Sequence, residues 1–224
     1  MKKYLSILKK NPLFSGIAED NLENMLSCLS VNVKNFSKNE IIYMAGNKIS
    51  KIGIVVDGSV QIVKEDILGN RNIIAQIAVG EIFGEAFACA DIDKLPISVI
   101  ASVNCTVMFI DYKKVVYTCN NSCIFHHRLL ENMLGILAMK NILLNNKIEY
   151  ISKRTIREKA LSYLLAQAQQ QGKRSFKIPF NRQELADYLC VDRSALSNEL
   201  GKLRTEGIIE FNRCEFNILM EELE

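Results

Sequence analysis

At 224 residues the chain is long enough for two modest domains, each with its own core. Its 49% hydrophobic and 24% charged residues are those of an ordinary globular protein, and no run of about twenty apolar residues offers a membrane span. A formal net charge of +3 is too small to announce a nucleic-acid partner, so any such partner has to be read from local patterning.

The opening Met1-Lys2-Lys3 is basic, but residues 4–8 are too short for a signal-peptide core and Lys9-Lys10 ends them. A cytoplasmic location without membrane contact is therefore expected. Seven cysteines (Cys28, Cys89, Cys105, Cys119, Cys123, Cys190 and Cys214) are scattered through apolar segments, with neither a CxxC pair nor zinc-finger spacing. In a reducing compartment most of them read as small buried hydrophobes.

After Asn11-Pro12-Leu13-Phe14, the residues Ile17, Leu22, Met25 and Leu26 fall at helical spacings and predict a short amphipathic helix within 11–30. From 31 to 111 the pattern changes to short β-rich runs at 40–43, 51–56, 60–63, 72–77, 97–103 and 107–110. Turn signals separate them at Ala45-Gly46-Asn47, Asp57-Gly58, Leu68-Gly69-Asn70 and Val79-Gly80-Glu81. Many short strands at such spacing predict a small all-β roll or barrel.

A long helix is expected over 119–151. Leu130, Leu134, Leu137, Asn141, Leu144, Ile148 and Ile151 recur at alternating spacings of four and three, the seam of a two-stranded coiled coil. A second row, Leu129, Met133, Ile136 and Leu143, lies beside it. One row then serves as a seam to a second copy of the chain and the other packs on the preceding domain; the alternative is a core helix with two apolar stripes. Asn141 is the kind of polar seam residue that fixes register in a parallel dimer. Near the start of this helix stand Cys119, Cys123, His126 and His127. Cys123 and His127, four apart, share one helical face and could hold a metal or set Cys123 opposite its symmetry mate. Nothing fixes a fourth ligand, and the plainer reading is that they extend the seam backwards, so no metal or cofactor is assigned.

Beyond 152 comes a further amphipathic helix carrying Ala160, Leu161, Leu164, Leu165 and Ala168, with a polar break expected at 167–173. The most specific signal follows. Asn181 with Glu184 forms a capping box, and Phe180 with Leu185 a hydrophobic staple, so a helix starts at Arg182 and runs to about Leu189. Cys190-Val191-Asp192 is a short turn, and Asp192 can cap a second helix from Arg193 to Thr205 that stops near Gly207. Ala186, Leu189, Val191, Leu196, Leu200 and Leu203 supply the contacts between the two. This is a helix-turn-helix, flanked at 177–179, 208–211 and 216–219 by a small β wing. Its second helix would expose Arg193, Ser194, Ser197, Asn198, Lys202 and Arg204, donors suited to base edges and phosphates: Arg can take guanine bidentately, Asn adenine. Basic residues outnumber acidic ones between Lys153 and Arg213, which favours the same partner.

The order of β-roll, long helix and winged helix-turn-helix, with Gly80-Glu81-Ile82-Phe83-Gly84-Glu85 in the roll and Arg182-Gln183-Glu184-Leu185 in the last domain, resembles the Crp/Fnr family of bacterial transcription regulators over nearly the whole chain. The resemblance implies an α+β architecture: an N-terminal double-stranded β-roll or jelly roll at 1–118 acting as a cyclic-nucleotide-binding-like sensor, a dimerisation helix at 119–151 and a winged helix-turn-helix at 152–224. It implies that Asn181, Arg182 and Gln183 approach phosphates of double-stranded DNA while Arg193, Ser194, Ser197 and Asn198 face the bases. Where the family often has Arg-Glu-x-x-x-Arg on this helix, the chain keeps only the first Arg, at 193, so a different operator is expected. A symmetric homodimer would read an inverted repeat, its two helices about 34 Å apart. In an activator the hairpin at 66–71 would be the surface offered to RNA polymerase.

The family's cyclic-nucleotide binders hold the ribose with a Gly-Glu loop and the cyclic phosphate with a following Arg-Ser pair. Gly80, Glu81, Gly84 and Glu85 keep the loop, but Leu95-Pro96 stands in the place of Arg-Ser and no Arg occurs from 86 to 103. A buried phosphate without a cation is costly. The residues thus argue against cyclic AMP, leave the effector an unidentified small molecule or redox signal, and allow the loop glycines to be there for the turns alone. The family's iron-sulfur members use an N-terminal cysteine group, of which this chain has only Cys28. The competing reading is a ligand-, thiol- or metal-sensing dimer whose winged domain meets protein instead of DNA. An enzyme using Cys119, Cys123 or His126 is not expected, because neither an orienting third group nor a nucleophile elbow is evident.

Overall fold

The computed structural model describes residues 4–116 and 124–220. The chain divides into two compact units, Met1–Gly69 with Ile74–Asn141 and Asn70–Ile73 with Ile142–Glu224.

In the first unit the short helix α1 (Leu5–Leu8) and α2 (Glu19–Cys28) precede two four-stranded sheets. One has the order β1 (Asn32–Phe36), β8 (Cys105–Asp111), β3 (Lys51–Asp57), β6 (Ile82–Phe83); the other runs β2 (Ile41–Tyr43), β7 (Ser98–Ala101), β4 (Val60–Glu65), β5 (Arg71–Ile77). Alternation along the strands decides what covers each face. Ile52, Ile54 and Val56 of β3, with Met108 and Ile110 of β8, meet Leu22, Met25 and Leu26 of α2 and Leu129, Met133 and Ile136 of the long helix. Val55, Cys105, Val107 and Phe109 turn the other way and pack with Val60, Val99 and Ala101 of the second sheet. Lying between two cores, β3 buries five residues in succession. Gly53 in its middle has no side chain because Phe83 lies over it; a Cβ there would stand 2.2 Å from the ring.

Four elements of this part of the chain depart from the sequence reading. β1 is an edge strand, mostly exposed and rich in Asn and Lys, so it lacks the clean alternation of a half-buried strand. Between Gly80 and Glu85, where only a turn was expected, lie β6 and the first residue of a short helix, α3 (Glu85–Cys89), entered through Gly84 at φ +82°. A further short helix, α4 (Tyr112–Val116), follows β8.

The long helix α5 spans Ile124–Ser152; Cys119 and Cys123 lie outside the described residues. Leu129, Met133 and Ile136 enter the roll's core as expected. Leu143 does not: it is half exposed, because α5 belongs to the first unit only as far as Asn141 and the roll's core ends before it. In the expected seam, Leu134, Asn141, Leu144 and Ile148 are exposed. Leu130, Leu137 and Ile151 are half-buried, and Leu137 packs on the chain's own core. Met139 and Ile142 are exposed as well, but the helical period turns them away from that row.

The second unit holds α6 (Ile156–Gln171), β9 (Ser175–Lys177), α7 (Arg182–Leu189), α8 (Arg193–Thr205) and the strands β10 (Ile209–Asn212) and β11 (Glu215–Ile218), in a three-stranded sheet ordered β10-β11-β9. Thr155 caps α6 in a reciprocal box with Glu158, and the helix continues through the polar residues expected to break it, ending where Gly172 adopts φ +62°. Gln is a good helix former, so polarity without Pro or Gly does not stop a helix. Tyr163 of α6 packs edge-on against Tyr150 and beside Phe180 and Tyr188. Lys147 is buried over the Tyr188 ring, 4.3 Å from its centroid, and donates to the Ile73 carbonyl. Burial lowers its pKa to about 8 and raises that of Tyr188 to about 12.

Candidate nucleic-acid interface

The expected caps set the geometry of the two helices. Asn181 Oδ1 accepts from the Glu184 amide at 3.0 Å, and Glu184 Oε2 accepts from the Asn181 amide at 2.8 Å, so two of the orphan donors at the start of α7 are satisfied. Cys190 ends α7 in a left-handed conformation at φ +54°. Two residues later Asp192 accepts from the Ala195 amide at 2.9 Å and the Ser194 hydroxyl at 2.5 Å, and these donors hold its carboxyl below the usual range. Leu185, Ala186 and Leu189 of α7 are buried, as are Leu196, Leu200 and Leu203 of α8, which orients the outer face of α8.

That face carries the expected residues. Arg193, Ser194, Ser197, Asn198 and Lys202 are all exposed. Two hydroxyls are already engaged: Ser194 donates to Asp192, and Ser197 donates to the Arg193 carbonyl at 2.9 Å. Lys202 is paired with Glu199 at 2.6 Å. Arg193 and Asn198 therefore carry the groups best placed to seek an outside partner. On α7, Asn181 spends its side-chain oxygen on the cap, Gln183 donates to Asp187 at 2.8 Å, and Arg182 is half-buried. Burial lowers the pKa of Arg182, whose guanidinium lies 4.9 Å from the Phe211 ring centroid and 5.8 Å from that of Phe216. The hairpin of the flanking wing pairs in unbroken register, Ile209 with Ile218 and Phe211 with Phe216.

In the roll the structure brings the expected loop residues into different roles. Gly80 lies at φ +87°, donates its amide to the Val55 carbonyl and accepts from Asn11 Nδ2 at 2.9 Å; Glu81 is exposed and accepts from the Ala78 amide. Glu85 is 3% exposed, and its Oε1 accepts from Lys140 Nζ of α5 at 2.7 Å. The same ammonium donates to the Ile82 carbonyl at 2.6 Å, while Glu85 Oε2 is buried without a hydrogen-bond partner among the described residues. Sequence reading missed Lys140, although it continues the inward row of Leu129, Met133 and Ile136 four residues on. Leu95 is buried in the core between the sheets, and Pro96 and Lys94 are exposed. The nearby Lys48 is committed to Asp91 and Asp93, at 2.9 and 2.7 Å.

His126 is buried, and the exposed His127 stands 3.3 Å from Glu131. Among the described residues no group of three or more His, Cys, Asp or Glu side chains is arranged to hold a metal. No described helix is long and apolar enough to cross a membrane.

Residues 33–122 match the family profile of the cyclic nucleotide-binding domain, and residues 158–223 match that of the Crp-like helix-turn-helix domain. No curated protein matches the sequence. Among solved structures, the chain is similar to the c-di-GMP responsive global regulator CLP of Xanthomonas campestris, with 16% identity over 91% of this chain and 100% of that one and a TM-score of 0.72. A CooA mutant from Carboxydothermus hydrogenoformans matches with 18% identity over 87% and 86% and a TM-score of 0.70. FixK2 from Bradyrhizobium japonicum matches with 18% identity over 84% and 92% and a TM-score of 0.67. At these identities the likenesses establish the fold.

Proposed function

The chain belongs to the Crp/Fnr family of transcription regulators, and from that premise we propose that it works as a cytoplasmic homodimer reading an inverted-repeat operator, under a signal other than cyclic AMP. The observation that carries the reading is the outer face of α8, where Arg193 and Asn198 stand exposed on a helix capped by Asp192 and preceded by α7, itself capped by the Asn181–Glu184 box. Family members of this type are DNA-binding regulators and not enzymes. The exposed seam row of α5 supports the dimer: Leu134 is 65%, Leu144 47% and Ile148 58% exposed, and each large side chain withdrawn from water contributes about 1.5–3 kcal/mol. A second copy packed along this face would hold two α8 helices at a fixed separation.

Three observations support a signal other than cyclic AMP. The carboxylate of Glu85 is engaged by the chain's own Lys140, the place of the phosphate-binding pair is taken by Leu95 and Pro96, and Lys48 is neutralised by two aspartates. Residues 66–71, with Ile67 fully and Leu68 largely exposed, would be the surface that an activator of this kind offers to RNA polymerase.

Binding to a selected operator tests the reading. Arg193→Ala should lose discrimination of about 1–3 kcal/mol at one base step, whereas Arg182→Ala should weaken all sequences alike. If both variants bind the operator as the parent does, α8 is not the reading helix. A winged domain built to meet protein would show no steep fall of DNA affinity with added salt.

A further inference from the structure

The wing carries an aromatic ladder. Phe211 of β10, Phe216 of β11 and Phe176 of β9 are register partners across the three-stranded sheet, so their rings share one face. Phe211 and Phe216 stack with centroids 5.7 Å apart at 29°, and Phe216 and Phe176 at 6.3 Å and 19°. Phe216 is 1% exposed and anchors the row, while Phe211 at its outer end is only half-buried.

Two arginines from different helices converge on that outer ring. Arg182, the first residue of α7, lies 4.9 Å from the Phe211 centroid, and Arg204, in the last turn of α8, lies 5.2 Å from it. Both distances are within cation–π range. The manner of holding matters. Arg157 is tied to Glu206 and Lys202 to Glu199, so those cations are neutralised by carboxylates. Among the described residues neither Arg182 nor Arg204 forms an ion pair. An aromatic face orients a guanidinium without consuming its charge, and it leaves the N–H fork free for an oxyanion. The two charges can be no further apart than twice the longer of these distances. That bound lets the pair reach the same phosphate or two neighbouring phosphates of one strand.

We propose that Phe211 is a positioning residue that holds Arg182 and Arg204 together as a clamp for the phosphodiester backbone of one DNA strand. The inference rests on the DNA-binding reading above and adds to it a second phosphate contact, from Arg204, and the ring that sets both. Arg182 is partly desolvated in this place, which strengthens its attraction to an anion.

The test uses the full chain and a labelled duplex of random sequence, with affinity measured as potassium chloride is raised. Each phosphate contact contributes about 0.9 to the slope of log affinity against log salt. Arg182→Gln and Arg204→Gln should each lower the slope by about 0.9 per bound head, a change of about 3- to 4-fold in the affinity lost between about 50 and 200 mM salt. Phe211→Leu keeps both charges and the apolar strand position, yet should lower the slope in the same direction. Phe211→Tyr, which keeps the ring face, should restore the parent slope. Adding Arg204→Gln to Phe211→Leu should change little further. A Phe211→Leu variant with the parent's melting midpoint and the parent's slope overturns the proposal. If that variant does not fold, unchanged slopes in the two arginine variants overturn it instead. A parent chain that shows no salt-dependent binding at all overturns the DNA reading itself, a result distinct from either of these.

Discussion

Replacing Lys140 by Met should destabilise the first unit sharply, because the ammonium is the cation that compensates the buried Glu85 carboxylate. Glu85 is 3% exposed, its Oε1 accepts from Lys140 at 2.7 Å, and its Oε2 has no hydrogen-bond partner among the described residues. Removing one member of a buried pair costs about 3–5 kcal/mol; with Lys140 29% exposed the lower end applies, so a loss of about 3 kcal/mol is expected. The Ile82 carbonyl loses its donor as well, at 2.6 Å. Glu85→Gln should cost less than Lys140→Met, since it removes the charge and leaves an acceptor. The double variant should cost less than the sum of the two singles, with a coupling of about 1–3 kcal/mol, measured by urea unfolding of the four proteins. If Lys140→Met unfolds at the parent's midpoint with the parent's slope, the pair does not hold α5 to the roll and the argument from an internally occupied Glu85 fails.

Further outcomes are expected elsewhere. Asp192→Ala removes two hydrogen bonds at the start of α8 and should cost about 1 kcal/mol, read as a lower melting midpoint and weaker operator binding. Lys147 has a folded-state pKa of about 8 against a reference of 10.5, so folding releases protons between those values and the parent gains stability as pH rises through them. Lys147→Met should flatten that rise relative to the parent, and equal slopes for the two proteins across this window would contradict the burial of the ammonium. Asn141→Leu should strengthen self-association in sedimentation while loosening register, and an unchanged dissociation constant would argue that Asn141 is not in a dimer seam.

The helix-turn-helix was legible because its determinants are local. Asn181 and Glu184 are three residues apart, Asp192 caps the next helix directly, and the apolar positions of α8 recur at helical spacing, so the sequence alone places both helices. The roll's strands were legible where alternation or continuous burial marks them, as along β3. β1 was hidden because an edge strand with Asn32, Lys34 and Asn35 has little apolar face to show, and β6 because two residues carry no periodicity. The pairing of Lys140 with Glu85 joins residues 55 apart, and the meeting of Arg182, Arg204 and Phe211 depends on strand register and helix packing together. Such contacts leave no trace in local spacing. Leu143 shows the converse error: its spacing matched the inward row, but the core it was to join ends earlier along the helix.

The central claim is that two copies of α8, held apart by α5, read DNA as a symmetric pair. Selection from a pool of random-sequence duplexes by the purified full chain tests it most directly. The account predicts enrichment of one inverted repeat whose half-site centres lie about 34 Å apart, with Arg193→Ala degrading the same base step in both halves. Recovery of no sequence above the starting pool, or of a single unrepeated half-site, would contradict it.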